Sequence, residues 1–335
     1  MATPRQQRID PKKVPAPRKA PGKKSGRPGG RPPGAAPIPR ATLGTWIGAA
    51  RPQTLPLAIA PVALGAATAY INSAHPEGDV WWHWLRALLC LAVALFLQIG
   101  VNFANDYSDG VRGTDRHRVG PPRLTASGAV RPRTVIVVAF VFFALAAAAG
   151  LVIVFRTQQW WLIAVGAVAI VAAYFYTGGK RPYGYYGLGE VFVFVFFGLV
   201  ATVGTEFALL GDITPEAWIA GVAIGLIACA VLMVNNIRDR EQDKLAGKRT
   251  LAVLLGDLPS RIVYAVLLLA PFGILVFFTL IFLNAYLVFF ALLAAIPAVG
   301  ITLSAKTAPE LVVALRLTTL TALLYGLGLG WAIAF

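Results

Sequence analysis

The chain has 335 residues, of which 57% are hydrophobic and 13% charged, with a mean hydropathy of +0.69. Soluble domains run nearer ~45–50% apolar and ~25% charged, so these figures exclude an ordinary soluble enzyme and a disordered chain and predict a polytopic membrane protein. The net charge of +15 is concentrated at one end: residues 1–40 hold eleven of the 30 Lys and Arg against one acid, Asp10.

Residues 1–42 read as a disordered, basic, Pro/Gly-rich tail, because they have almost nothing apolar to bury. Such a tail is expected beside anionic lipid, where each well-placed basic residue contributes ~1 kcal/mol; no nucleic-acid partner is expected. It is not expected to be a signal peptide, since no apolar core follows its early charges. Cys90 and Cys229 both fall in apolar runs and make neither a disulfide framework nor a thiolate metal site. His75, His83 and His117 are too scattered for a zinc cluster.

From residue 43 to 335 the sequence is a series of apolar runs, at about 44–71, 85–106, 134–155, 159–177, 188–210, 215–236, 260–282, 285–304 and 310–334. Each is long enough for a ~30 Å hydrocarbon core, and none alternates as a barrel strand would. The expected fold is all-α, with nine transmembrane helices. The connections 107–133, 178–187, 237–259 and 305–309 carry Lys and Arg, whereas 72–84 and 211–214 carry none. Positive residues favour the cytoplasm, so the tail and the basic loops are expected there, with Phe335 outside. Trp81, Trp82, Trp84, Trp160 and Trp161 read as interfacial anchors on the outer side. Gly326, Gly328 and Gly330 sit within the last apolar run with no preceding strand, which favours close helix packing over a phosphate loop.

Two connections carry the chemistry. The first contains Asn102, Asn105, Asp106, Asp109, Arg112 and Asp115; the second contains Asn235, Asn236, Asp239, Asp243, Lys248 and Arg249. Asn102, Asp106 and Asp109 are spaced i, i+4, i+7, and Asn235, Asp239 and Asp243 are spaced i, i+4, i+8, so each set shares a helix face. Carboxylates stacked on one face repel, and Mg²⁺ relieves that repulsion while accepting their oxygens and those of a phosphate. Facing each other, the two clusters would clamp a diphosphate, with Arg112, Lys180, Lys248 and Arg249 neutralising the remaining charge. Asp106-x-x-Asp109-Gly lacks the alternating oxygens of an EF-hand. A third stretch, residues 174–190, brings Tyr176 and Lys180 toward the same diphosphate, while Tyr183, Tyr185 and Tyr186 read as an interfacial belt. Glu190 begins a span, where an ionisable group is a functional hint. Arg51, within Arg51-Pro52-Gln53-Thr54-Leu55-Pro56, reads either way, as a functional group or as a side chain snorkelling to lipid phosphate.

These residues resemble the UbiA superfamily of intramembrane prenyltransferases, across about residues 43–335. Asn105, Asp106 and Asp109 match its first motif, Asp239 and Asp243 its second, and Tyr176 and Lys180 its Tyr-x-x-x-Lys motif. The last aspartate of the first motif departs from the pattern: Gly113 stands in its place and Asp115 follows. That variant, with Arg51-Pro52-x-Thr54-Leu55-Pro56, Asn105-Asp106-Tyr107 and Gly187-Leu188-Gly189-Glu190, is similar to the 1,4-dihydroxy-2-naphthoate polyprenyltransferase branch.

The resemblance implies helices around a central cavity. It also implies that Mg²⁺, held by Asn105, Asp106, Asp109, Asp115, Asp239 and Asp243, binds a polyprenyl diphosphate together with Tyr176 and Asn235. It implies prenyl transfer to 1,4-dihydroxy-2-naphthoate with loss of carbon dioxide, giving demethylmenaquinol, with Arg51, Asn102 and Glu190 toward the acceptor. Prenylation of another acceptor such as 4-hydroxybenzoate is the alternative within the family, and a membrane transporter is the alternative from another class.

Overall fold

The computed structural model describes residues 41–73, 80–114 and 123–335, and every regular element among them is helical. The basic tail, Asp115 and the connection around His75 lie outside the described residues. In chain order the helices are α1 (Leu43–Ala50), α2 (Pro56–Asn72), α3 (Val80–Arg112), α4 (Pro132–Thr157), α5 (Leu162–Phe175) and α6 (Gly189–Leu210). They continue with α7 (Pro215–Leu245), the short α8 (Leu251–Leu255), α9 (Asp257–Thr279), α10 (Leu283–Ser304) and α11 (Ala308–Ala334).

Among the described residues seven helices, α3, α4, α6, α7, α9, α10 and α11, are long and apolar enough to cross a membrane. The first apolar run is broken instead of continuous. Its two halves, Leu43–Thr54 and Pro56–Asn72, meet at 48°. The cause is local: Arg51 adopts a left-handed conformation (φ 55°), and Pro52 and Pro56 remove two helical N–H donors. The fourth run, 159–177, is 19 residues long in sequence, but α5 keeps only 14 as α-helix. Turns at Trp160–Trp161 and at Tyr176–Thr177 consume its ends. At about 1.5 Å per residue α5 rises only about 21 Å.

The solid half of the bundle is a core of α2, α7, α9, α10 and α11, built on residues such as Leu64, Ile227, Leu268, Leu275, Tyr325 and Leu329. Without a hydrophobic drive between helices in lipid, close backbone approach supplies the packing. A Cβ on Gly326 would collide with Ala60 of α2, so α11 reaches α2 only because that position is glycine. Gly330 packs on Ala63 in the same way, as expected of this stretch. The middle of α6, Phe194–Val200, is wound as a π-helix. There Gly198 lies against Gly225 and Gly221 of α7, where a Cβ would meet the Gly225 Cα at 2.6 Å. A π-segment shifts the register of the residues after it, and Phe192, Phe196, Val200 and Gly204 all face the same cavity.

Two polar side chains inside the bundle tie down helix ends. Glu206, fully buried, accepts from the Thr214 N–H (2.9 Å) and hydroxyl (2.7 Å), closing the turn into α7. Arg86 of α3 donates to the carbonyls of Ala208 and Leu209 at the end of α6. Trp84, Trp160 and Trp161 are exposed, in keeping with anchors.

Candidate functional site

One face of α3 organises the site. Cys90, Val93, Ala94, Leu97, Gln98, Val101, Asn102, Asn105, Asp106 and Asp109 recur at three- and four-residue steps and line one cavity of about 640 Å³. From Cys90 to Asp109 that face rises about 28 Å. It is apolar at the Cys90 end and ionised at the Asp109 end. The facing walls follow the same gradient. They run from small residues of α5 and α6 (Gly166, Ala169, Ala201, Gly204) through Phe192 and Phe196 to Asn235, Asn236, Asp239 and Asp243 of α7. Both acidic segments continue as helix beyond the apolar runs, α3 to Arg112 and α7 to Leu245. The i, i+4 spacing of their side chains is therefore realised.

Each carboxylate has its own setting. Asp106 is 1% exposed, and its two oxygens accept the backbone N–H groups of Leu124 and Thr125, each at 2.9 Å. It thereby fastens the segment after residue 123 across the helix end. Gly110 allows this, because a Cβ there would collide with the Thr125 side chain. Asp109 Oδ1 accepts from the Tyr185 hydroxyl (2.7 Å) and the Lys248 ammonium (3.2 Å), and its Oδ2 faces Arg123 at 3.6 Å. Lys248 Nζ also stands 3.6 Å from Asp243 Oδ1, so it bridges the two acidic segments. Asp239 takes a two-pronged contact from its neighbour Arg238, at 2.7 and 2.6 Å. Burial opposes the charge on Lys248, but Asp109 and Asp243 outweigh it and hold its pKa above the ordinary lysine value. Burial, followed by the nearby Asp109, raises the Tyr185 hydroxyl, which stays a neutral donor.

Of the residues expected at a diphosphate, Asn105, Tyr176, Asn235 and Lys248 line the cavity, and Arg112, Lys180 and Arg249 do not. Arg112 is spent on the carbonyls of Thr177 and Gly179. Lys180 is exposed, carried outward by the turn at Gly178–Gly179, where Gly179 has φ +74°. Arg249 is exposed, with its N–H on the Tyr185 carbonyl.

Of the residues expected at an acceptor, Arg51 and Asn102 line the cavity. Asn102 donates to the Ala50 carbonyl (2.8 Å) and to Thr54 Oγ1 (3.3 Å), and Gln98 donates to the same oxygen (2.9 Å). The Arg51–Pro56 turn is thus tied to α3. Glu190 is buried behind the wall, where it accepts from Asn236 at 3.0 Å.

Four cavity-end residues were absent from the expected site: Arg123, Thr177, Tyr185 and Arg238. Thr177 donates to Asn105 Oδ1 at 2.6 Å and joins the end of α5 to α3. Of the tyrosines expected to form an interfacial belt, only Tyr186 is exposed. Tyr183 stacks on Phe192 with ring centroids 3.9 Å apart and donates to the Ala172 carbonyl, and Tyr185 is turned to Asp109. Their hydroxyls bond protein groups in the bundle, which an interfacial ring would leave to water.

Among the described residues no three Asp, Glu, His or Cys side chains gather closely enough to hold an ion by themselves. The donor set still fits magnesium. Lys248 shows that Asp109 and Asp243 converge on one cationic seat, and Mg²⁺ commonly takes one or two carboxylates and completes its shell with water and phosphate oxygens. The six-ligand set expected from the sequence is not gathered around one point. Asp106 is engaged by backbone N–H groups, Asn105 by Thr177, and Asp115 lies outside the described residues.

A helical membrane bundle with one long apolar cavity, closed at a single end by carboxylates and cations, defines a protein that binds a lipid-like chain bearing an ionised head. Residues 58–311 match the UbiA prenyltransferase family, and the chain belongs to that family. It is 46% identical over 298 residues to the 1,4-dihydroxy-2-naphthoate octaprenyltransferase of Mycobacterium tuberculosis, covering 88% of this chain and 98% of that protein. It is 36% identical over 260 residues to the enzyme of the same name from Escherichia coli, covering 75% and 81%. Among solved structures it shares the fold of a UbiA homolog from Archaeoglobus fulgidus bound to GPP and Mg²⁺, with a TM-score of 0.57 at 17% identity, covering 87% of this chain and 99% of that one.

Proposed function

We propose that this chain transfers a polyprenyl group from an allylic polyprenyl diphosphate to 1,4-dihydroxy-2-naphthoate, with loss of the carboxylate as carbon dioxide, giving demethylmenaquinol. The observation that carries the reading is the cavity itself, apolar for most of its length and ionised only at the Asp109–Asp243 end. The acceptor is supported by the names of the relatives at 36–46% identity.

In this reading the apolar length takes the isoprenoid chain and keeps water from the allylic carbon. Asp109 and Asp243 would hold Mg²⁺ and Asp239 would reach it through water, with Asn105, Asn235 and Tyr176 beside the diphosphate and Asp106 keeping the loop after residue 123 in place. Bound there, Mg²⁺ would supply positive charge to the departing diphosphate. Lys248 adds charge to the leaving group as the C–O bond lengthens. The naphthoate enters beside Arg51 and Asn102 and attacks through its carboxyl-bearing carbon. Loss of carbon dioxide restores aromaticity, so no base need remove a ring proton. The bundle spans the plasma membrane nine times, counting the bent α1–α2 pair and α5 as one span each. The tail and the ionised end of the cavity face the cytoplasm, and the C-terminus faces outward.

The test is a membrane assay with the naphthoate, a polyprenyl diphosphate and Mg²⁺, with and without EDTA, resolved by mass. The expected product is a prenylated naphthoquinol lacking the carboxylate, abolished by EDTA. Turnover of 4-hydroxybenzoate alone would overturn the acceptor and keep the diphosphate site.

A further inference from the structure

One residue outside both acidic clusters touches two other segments of the charged end. Tyr185, in the connection between α5 and α6, lines the cavity there. Its hydroxyl donates to Asp109 of α3 at 2.7 Å. Its ring lies under the Lys248 ammonium, 4.7 Å from the centroid, and the Arg112 guanidinium is 5.3 Å from the same ring. Its carbonyl accepts the Arg249 N–H at 2.9 Å. The hydroxyl therefore holds α3, and the ring and carbonyl hold the segment that follows α7.

We infer that Tyr185 is a positioning residue that fixes the Asp109 carboxylate and Lys248 relative to each other, and so presets the Asp109–Asp243 seat for a divalent cation carrying a diphosphate. The inference rests on the magnesium–diphosphate reading above. Asp109 Oδ1 receives two donors, the tyrosine hydroxyl and the ammonium. When a cation enters, Lys248 must turn from the carboxylates toward phosphate, and the neutral hydroxyl is the contact that keeps Asp109 in place during that exchange. The ring gives the ammonium a surface to move across, since a cation is attracted to an aromatic face within about 6 Å of its centroid. Without the hydroxyl, Asp109 keeps Arg123 on its other oxygen and turns that way, opening the seat. The cost falls on cation affinity and not on bond cleavage.

The experiment uses the full chain in nanodiscs. Thermal melting is followed as Mg²⁺ is titrated at fixed inorganic pyrophosphate, for wild type, Tyr185→Phe, Tyr185→Leu and the exposed control Tyr186→Phe. The expected result is a Mg²⁺ midpoint raised about tenfold in Tyr185→Phe, the order of one charge-assisted hydrogen bond. Tyr185→Leu should be raised further and the control unchanged. In turnover, Tyr185→Phe should raise the Mg²⁺ requirement and leave kcat at saturating Mg²⁺ largely in place. A cycle with Asp109→Asn adds a readout independent of fold loss, since Tyr185→Phe should add nothing to the midpoint shift of Asp109→Asn. An unshifted midpoint in Tyr185→Phe, or full additivity in the cycle, overturns the inference alone. A wild type that shows no Mg²⁺-dependent response overturns the diphosphate reading and the inference with it.

Discussion

Asp106 and Asp239 carry the same functional group in settings that predict different failures. Asp106 accepts two backbone N–H groups with its two oxygens. Asparagine there offers a donor to a donor, loses one bond and strands a buried N–H, at about 1–3 kcal/mol. Asp106→Asn should therefore lower the melting temperature, expose residues 123–130 to protease and abolish turnover. Asp239 accepts a two-pronged contact from Arg238, its own neighbour in α7. The amide oxygen of asparagine can still accept from Arg238, so Asp239→Asn should lose less stability than Asp106→Asn and still abolish turnover. Melting curves beside the prenylation assay separate the two, and equal stability loss in both would refute the assignment. Sequence spacing alone treats the two aspartates alike. It shows that each shares a helix face with other polar groups, but the partner of Asp106 lies 18 residues away, across residues no periodicity connects.

At the scale of elements, the apolar runs located the helices because each had to be long enough for lipid, and the amides at their ends marked where the site begins. Three features escaped that reading for local reasons. The Arg51 break comes from one left-handed residue between two prolines. The shortness of α5 comes from turns that use apolar residues. Tyr185 sits among tyrosines whose composition is that of an interfacial belt, and only the fold of the 176–186 connection turns it to Asp109. The triple-glycine run was legible as packing, and it makes a prediction. Gly326→Ala forces α11 from Ala60 and should cost about 1–3 kcal/mol, read as a lowered melting temperature. Ala60→Gly in the same chain should recover part of the loss, and no recovery would mean that the two positions do not share the contact.

For the molecule as a whole, α2 and α7 face both a packed half and a hollow half, so cavity volume can be changed without touching the core that holds the fold. Gly204 lines the hollow half, and a Cβ built there meets no atom within 4 Å. Gly204→Leu should therefore fold normally and fill space far from the ionised end. Turnover of a long polyprenyl diphosphate should fall roughly tenfold or more, while geranyl diphosphate turns over near the wild-type rate. Equal losses for both donors would show that Gly204 does not face the distal chain.

The length of α7 has a further consequence. Its 31 residues rise about 46 Å, roughly 16 Å more than the hydrocarbon layer is thick. The extra turns carry Asp239 and Asp243, so in the reaction proposed above the reacting end lies among the lipid headgroups while the chain-binding end stays in oil. The donor can then react without leaving the bilayer, and a water-borne acceptor without entering it. On that reading the protein is a phase-transfer catalyst in which two immiscible reagents meet at one fixed boundary.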